Sequence, residues 1–249
     1  MRYRLRCIDK LGYTFRGDES LLDVGCGDGG VARLLGRRVG AVTAVDIEGS
    51  PRWVPEQGLT FQVADAEQLP FGDSSFDLVH SKDSLHHMDH PARGLAEYRR
   101  VLPPRGTALT VEANRYNPTL FLQMTVVRGH QHFTRARFRA LVRAVFPDAR
   151  FGMFEAHYVP RATRLLAIQH RVEEALEHAP ELGPILSYNF AVATLTPEGA
   201  LRRAEVAQWL EFARRSPRRP RMRLQDVLVQ LQTPSRSVRD AQLPCGDLG

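Results

Sequence analysis

The 249-residue sequence predicts an α/β fold built on a doubly wound, mostly parallel sheet of seven strands. Three observations carry this. Short apolar, β-branched runs alternate with connecting segments through residue 113. The first run ends in the glycine-rich turn "GCGDGG", residues 25–30. Acidic residues, Asp46 and Asp65, stand at the ends of the second and third runs, where ligands meet such sheets.

Taken in order, residues 2–12 predict a short amphipathic helix, and "SLLDV" (20–24) a buried strand. "GGVARLLGRR" predicts a helix that begins inside the glycine turn. Strands follow at "AVTAVDI" (41–47), "LTFQVA" (59–64) and "FDLVHS" (76–81). "PARGLAEYRRVL" (91–102) predicts a helix with Pro91 near its start, and "TALTVEA" (107–113) the fifth strand. Helix 134–146 has Thr134 as its N-cap and an apolar stripe of Phe138, Leu141, Val142 and Val145. The last two strands are expected at 149–159 and 185–195. A helix at 163–178 separates them, with Leu165, Ile168, Val172 and Leu176 aligned. Residues 1–195 make one domain on this reading. Residues 196–249 make a helical, Arg-rich appendage that begins at Thr196-Pro197-Glu198.

Composition narrows the class. Apolar residues make up 43% and charged residues 25%, and no apolar run reaches the roughly 18 residues of a membrane span. "MRYRLRCIDK" lacks the apolar core of a secretory signal. Cys7, Cys26 and Cys245 form no disulfide framework and no metal-ligand spacing, so a cytoplasmic setting and no metal are expected. The net charge of +6 is almost all arginine, since Lys10 and Lys82 are the only lysines. The run "RRSPRRPRMR" (214–223) has no aromatics interleaved, which disfavours a nucleic-acid partner.

The glycines fit two spacings. Gly25, Gly27 and Gly30 spell G-x-G-x-x-G, the dinucleotide fingerprint, and Gly25, Gly27 and Gly29 spell G-x-G-x-G. Asp46 can accept both hydroxyls of a ribose, which NAD and S-adenosylmethionine (SAM) share. Asp65, followed by "LPFGDSSFDLV", discriminates: an acid there can receive the exocyclic amine of an adenine lying across the sheet edge.

On "LLDVGCGDGG", "VTAVDI", "VADAEQLPFGDSSFDLVHS" and "EYRRVLPPRGTALTVEA", in that order and spacing, the chain resembles the class I SAM-dependent methyltransferases. It is most similar to the ubiquinone/menaquinone-biosynthesis type and its small-molecule relatives. The resemblance is close over residues 20–113 and looser over 114–195. It implies a Rossmann-like seven-stranded sheet with a C-terminal antiparallel strand, SAM as cofactor and a small-molecule acceptor, with O- or C-methylation favoured. It also implies that Asp23, Gly25, Cys26, Gly27 and Gly29 hold the methionine part. Asp46 would bind the ribose, Ile47 would pack on adenine, and Asp65 and Ala66 would read the adenine edge. Ser81 would face the methyl group.

The chain departs from that pattern in its short connection "EGSPRWVPEQG", where a full helix is usual, and in its brief N-terminal segment. Methyl transfer mainly requires orientation and exclusion of water. Candidates for a base are His86, His87 and His90 in "LHHMDH", and Glu112 at the end of strand five. Packing and loop capping are the competing roles for these residues. The apolar stretch 114–133, with Leu120, Phe121 and Met124, is expected either to wall the acceptor pocket, favouring an apolar or aromatic acceptor, or to form a core-covering helix. Competing functions are a non-catalytic SAM-binding partner subunit, an RNA methyltransferase using the basic tail, and an NAD-dependent oxidoreductase.

Overall fold

The structure is a computed structural model, and it describes residues 2–122, 132–156 and 163–196. Helix α1 (Arg2–Asp9) leads into β1 (Ser20–Val24), α2 (Gly30–Leu35), β2 (Ala41–Asp46), β3 (Leu59–Val63) and β4 (Leu78–Lys82). A 3₁₀ turn, Leu85–His87, precedes α3 (Pro91–Val101) and β5 (Thr107–Ala113). Then come the helical turn α4 (Pro118–Leu120), α5 (Arg135–Val145), β6 (Arg150–Phe154), α6 (Thr163–Glu177), a second 3₁₀ segment (Pro180–Ile185) and β7 (Tyr188–Thr194). The appendage expected over 196–249 lies outside the described residues, apart from Thr196.

The sheet order is β3-β2-β1-β4-β5-β7-β6. Strands β1 to β5 pair in parallel, and β7 runs antiparallel to both β5 and β6. The order reverses between β1 and β4, so the carboxyl ends of those strands open a crevice for a ligand.

Strand alternation sorts the interior into two faces. Leu22, Val24 and Val79 point towards α3 and α5, where Leu95, Tyr98, Phe138 and Val142 complete a core. Leu21, Val42 and Leu78 point the other way, onto Ile8, Ala32 and Leu35 of α1 and α2. Farther along that second face, Leu109, Val111, Phe154 and Phe190 pack on Cys7 and Leu11. Truncating a buried leucine in such cores costs about 2–5 kcal/mol.

Three expectations shift. In the stripe expected on the 163–178 helix, Ile168 and Val172 face solvent, 60% and 51% exposed, while Leu176 is half-buried. Two acids of α6 also bind it to the start of the chain, Glu173 ion-paired to Arg6 of α1 and Glu177 to Lys10 just after it. The 149–159 strand ends at Phe154, because the buried Glu155 turns in to accept from the N–H of Ser187, 2.8 Å away; residues 157–159 lie outside the described residues. The last strand starts at Tyr188 because Pro180–Ile185 forms the 3₁₀ segment.

Candidate active site

The glycine turn forms because three of its residues take the left-handed backbone that glycine allows. Gly25, Gly27 and Gly29 have φ of 73°, 54° and 73°. The two at the ligand side play different parts. A Cβ on Gly25 would lie 2.4 Å from Ser84 Oγ, so this position must be small for the turn to sit against the β4–α3 connection. A Cβ on Gly27 would meet nothing within 4 Å, so there the backbone faces open space. The turn is pinned to β2: Gly25 and Cys26 N–H both donate to Val45 O, and Gly27 N–H donates to Asp46 Oδ2 at 2.8 Å.

Beneath the turn is a cavity of about 310 Å³. Asp23, Gly25, Cys26, Gly27 and Asp28 line it, together with His80 and Lys82 from β4 and Tyr3 and Arg4 from α1. Asp23 and His80 are partners across β1–β4, with Asp23 Oδ1 2.7 Å from His80 Nδ1. Asp23 Oδ2 is buried and makes no hydrogen bond. A buried carboxylate oxygen left unmatched is expensive unless a cationic donor meets it. Burial, with Asp23 and Asp46 nearby, pushes the Cys26 thiol well above its ordinary range, which favours the neutral thiol. Lys82 extends between the rings of Tyr3 and Tyr188, with Nζ 5.5 and 4.6 Å from their centroids, and ion-pairs with Asp83. Burial works against the Lys82 charge, but Asp83 prevails and holds its proton affinity well above normal. Asp83 is in a left-handed conformation and also accepts from the N–H of Ala113, which ties β4 to β5.

The other proposed cofactor residues line the carboxyl ends of β2 and β3. Ile47 is 63% exposed. Asp65 is exposed, and its Oδ1 accepts from the N–H of Glu67, so it caps its own turn. Ala66 packs against the α3-side core. Ser81 stands apart from the cavity. Alternation turns His80 and Lys82 towards the cavity and Ser81 away, where it is fully buried and accepts from the Tyr98 hydroxyl at 3.1 Å. The short 47–58 connection contains no helix. Trp53 takes the place of one: it stacks on Phe61 at 5.4 Å, and its Nε1–H donates to Gly27 O at 2.8 Å.

The base candidates separate in the same way. Glu112 is completely buried and accepts from Ser84 N–H, Leu85 N–H and His86 Nδ1, at 3.0, 2.7 and 2.7 Å. It therefore builds the 84–86 turn. Burial works to lower the His86 proton affinity, but the bond to Glu112 prevails and the net shift is upward. His87 is exposed, with its ring 4.1 Å from that of His86, and His132 stands 4.5 Å from His86 on the other chain segment. His90 takes the N-cap position of α3, with its N–H donating to Glu67. In the expected acceptor wall, Leu120 and Phe121 are half-buried; Met124 lies outside the described residues. Sequence reasoning missed Trp53, His80, Ser84, Lys82 and Tyr3. The odd tryptophan of a Pro-rich connection was the one signal available.

Residues 22–110 match the family model described as a methyltransferase domain. The chain is 40% identical over 105 residues to a ubiquinone/menaquinone biosynthesis C-methyltransferase of Bordetella avium, covering 38% of this chain and 41% of that protein. It is 37% identical over 103 residues to the chloroplastic tocopherol O-methyltransferase of Arabidopsis thaliana, covering 37% and 30%. The chain thus spans less than half the length of the curated relatives it matches. In fold it is similar to an S-adenosylmethionine-dependent methyltransferase from Mesorhizobium loti, with a TM-score of 0.55, 18% identity and coverage of 77% and 97%. Residues 22–110 are thus similar in sequence to methyltransferase domains, the ubiquinone/menaquinone-biosynthesis C-methyltransferases among them, and the fold around that segment is similar to that of solved SAM-dependent methyltransferases.

Proposed function

We propose that this protein transfers a methyl group from SAM to an oxygen or carbon of a small, lipophilic acceptor. The observation that carries the reading is Asp23 Oδ2, buried and without a hydrogen bond, on a residue that lines the same cavity as Gly27, whose backbone faces open space. An ammonium beside that oxygen would satisfy it, and the methionine end of SAM carries one. Asp46, already bonded to Gly27, would receive the ribose, and the exposed Ile47 would cover the adenine. The acceptor class is drawn from the relatives, whose names give tocopherol and ubiquinone/menaquinone biosynthesis.

SAM, when bound, supplies a methyl group already activated on a sulfonium. The protein's share is to orient the acceptor, exclude water and take up a proton where the acceptor carries one. His86 is the group for the proton. Its Nδ1 is bonded to Glu112, whose carboxylate would steady the imidazolium that forms. Glu112 is a positioning residue, since its oxygens are engaged by the 84–86 turn.

Calorimetry with S-adenosylhomocysteine, followed by methyl transfer from labelled SAM to a panel of substituted hydroquinones, tests the reading. Micromolar binding with turnover is expected. Binding without turnover on any acceptor would favour a partner-subunit role, and tighter binding of NAD would overturn the assignment.

A further inference from the structure

Helix α5 carries Arg135, Arg139 and Arg143 at intervals of four residues, with Arg137 beside them and no acid anywhere along its length. The three form a row about 12 Å long on one side of the helix. Among the described residues, no ion pair involves any of the four, whereas Arg4, Arg6, Arg33, Arg38 and Arg100 all form one. The row is held in shape from below: Arg139 and Arg143 both stack over Phe151 at 5.2 Å, and Arg137 over Phe133 at 5.6 Å. Partial burial and the charges of Arg143 and Arg135 depress the proton affinity of Arg139, so the positive potential is uncompensated. Such a row destabilises the free protein through self-repulsion, and a matching anionic surface would relieve it.

The row begins beside the segment that follows β5. Phe133, two residues before α5, bridges to Asn114, and its carbonyl accepts from the N–H of Arg115. This joins the first turn of α5 to the segment after β5. That segment exposes two large residues, Tyr116 at 55% and Leu122 at 62%. His132, one residue further back, touches the His86 ring. The arginine row therefore starts beside the segment that carries the exposed Tyr116 and Leu122.

We propose that this face docks the protein on an anionic lipid surface, with Tyr116 and Leu122 entering the headgroup layer and Arg135, Arg139 and Arg143 lying along the phosphates. The combination of interfacial aromatic, apolar wedge and basic row is what a peripheral lipid-binding face needs. A single-stranded nucleic acid fits less well, because Phe133 and Phe151 lie under guanidinium groups and offer no ring for bases to stack on. The purpose of docking, access to a lipophilic acceptor, rests on the function proposed above; the docking itself does not.

The test is co-sedimentation of the full chain with phosphatidylcholine vesicles, with and without phosphatidylglycerol, at low and high salt. Binding is expected only with phosphatidylglycerol and should fall with salt. Replacing all three arginines by glutamate should weaken it by at least the order of 100-fold that follows from about 1 kcal/mol per arginine, and replacement by lysine should preserve it. S-adenosylhomocysteine affinity should stay unchanged in both variants, which checks that they fold. Arg143→Glu alone, at the exposed far end of the row, should give a several-fold loss. Equal binding to neutral vesicles, undiminished binding of the glutamate variant, or binding of RNA in place of vesicles would each overturn the proposal. Failure of S-adenosylhomocysteine binding with vesicle binding intact would sink the proposed function alone.

Discussion

Asp23 and His80 sit opposite each other across β1 and β4, with Oδ1 and Nδ1 2.7 Å apart and both side chains buried. The bond commits one carboxylate oxygen to the protein and leaves Oδ2 for the cavity. Asp23→Asn keeps the shape and removes the charge. It should lower S-adenosylhomocysteine affinity about 10- to 100-fold, as expected for loss of one charge-assisted hydrogen bond, with a small change in Tm. Asp23→Ala should lose affinity and also stability, since His80 stays buried without its partner. Unchanged affinity of Asp23→Asn in calorimetry would remove this carboxylate from the cofactor site.

Gly25 and Gly27 predict opposite defects. Gly25→Ala puts a methyl group 2.4 Å from Ser84 Oγ on a left-handed backbone, so thermal unfolding should report a loss of several kcal/mol. Adding Ser84→Gly should recover the steric share but not the backbone share of about 1 kcal/mol. Gly27→Ala meets no atom within 4 Å, so it should cost only the backbone share while closing the open side to a ligand. A Gly27→Ala protein that binds S-adenosylhomocysteine normally would show that no ligand approaches there.

The His86–Glu112 pair predicts a pH signature. Both groups have raised proton affinity in the folded protein: in His86 the bond to Glu112 overcomes burial, and in Glu112 burial itself dominates. The folded state then binds more protons than the unfolded chain, so these groups make stability fall as pH rises. For His86 the contribution is complete below the ordinary imidazole value, about 6.5, and is lost as pH climbs through its raised folded value. In Glu112→Gln only burial remains as the main influence, so the NMR titration of His86 should move from above that value to below it. A His86 titration that does not respond would disconnect the pair.

Ser81 is bonded to Tyr98 inside the α3-side core. Ser81→Ala should therefore leave S-adenosylhomocysteine affinity within about twofold and cost roughly 1 kcal/mol of stability, and Tyr98→Phe should cost a similar amount. A large loss of affinity in Ser81→Ala without a loss of stability would return Ser81 to the cofactor site.

The sequence by itself determined the sheet, the glycine turn and the acids at the strand ends, because these are local. Strand propensity, glycine backbone freedom and motif spacing can all be read without knowing which strands are neighbours. The start of β1 and the bounds of β5 match the structure to the residue. Only the tertiary structure decided which side chains meet. His80 joins Asp23 because β4 pairs beside β1, 57 residues away in the chain. Ser81 turns inward because a two-residue period places neighbours on opposite faces. Glu112 is taken by the 84–86 turn because that turn leaves N–H groups that a buried carboxylate must satisfy. Ile168 and Val172 of α6 face outward, while Glu173 and Glu177 of that helix pair with Arg6 of α1 and with Lys10. Partners of this kind lie far apart in the chain, and periodicity within one element carries no information about them.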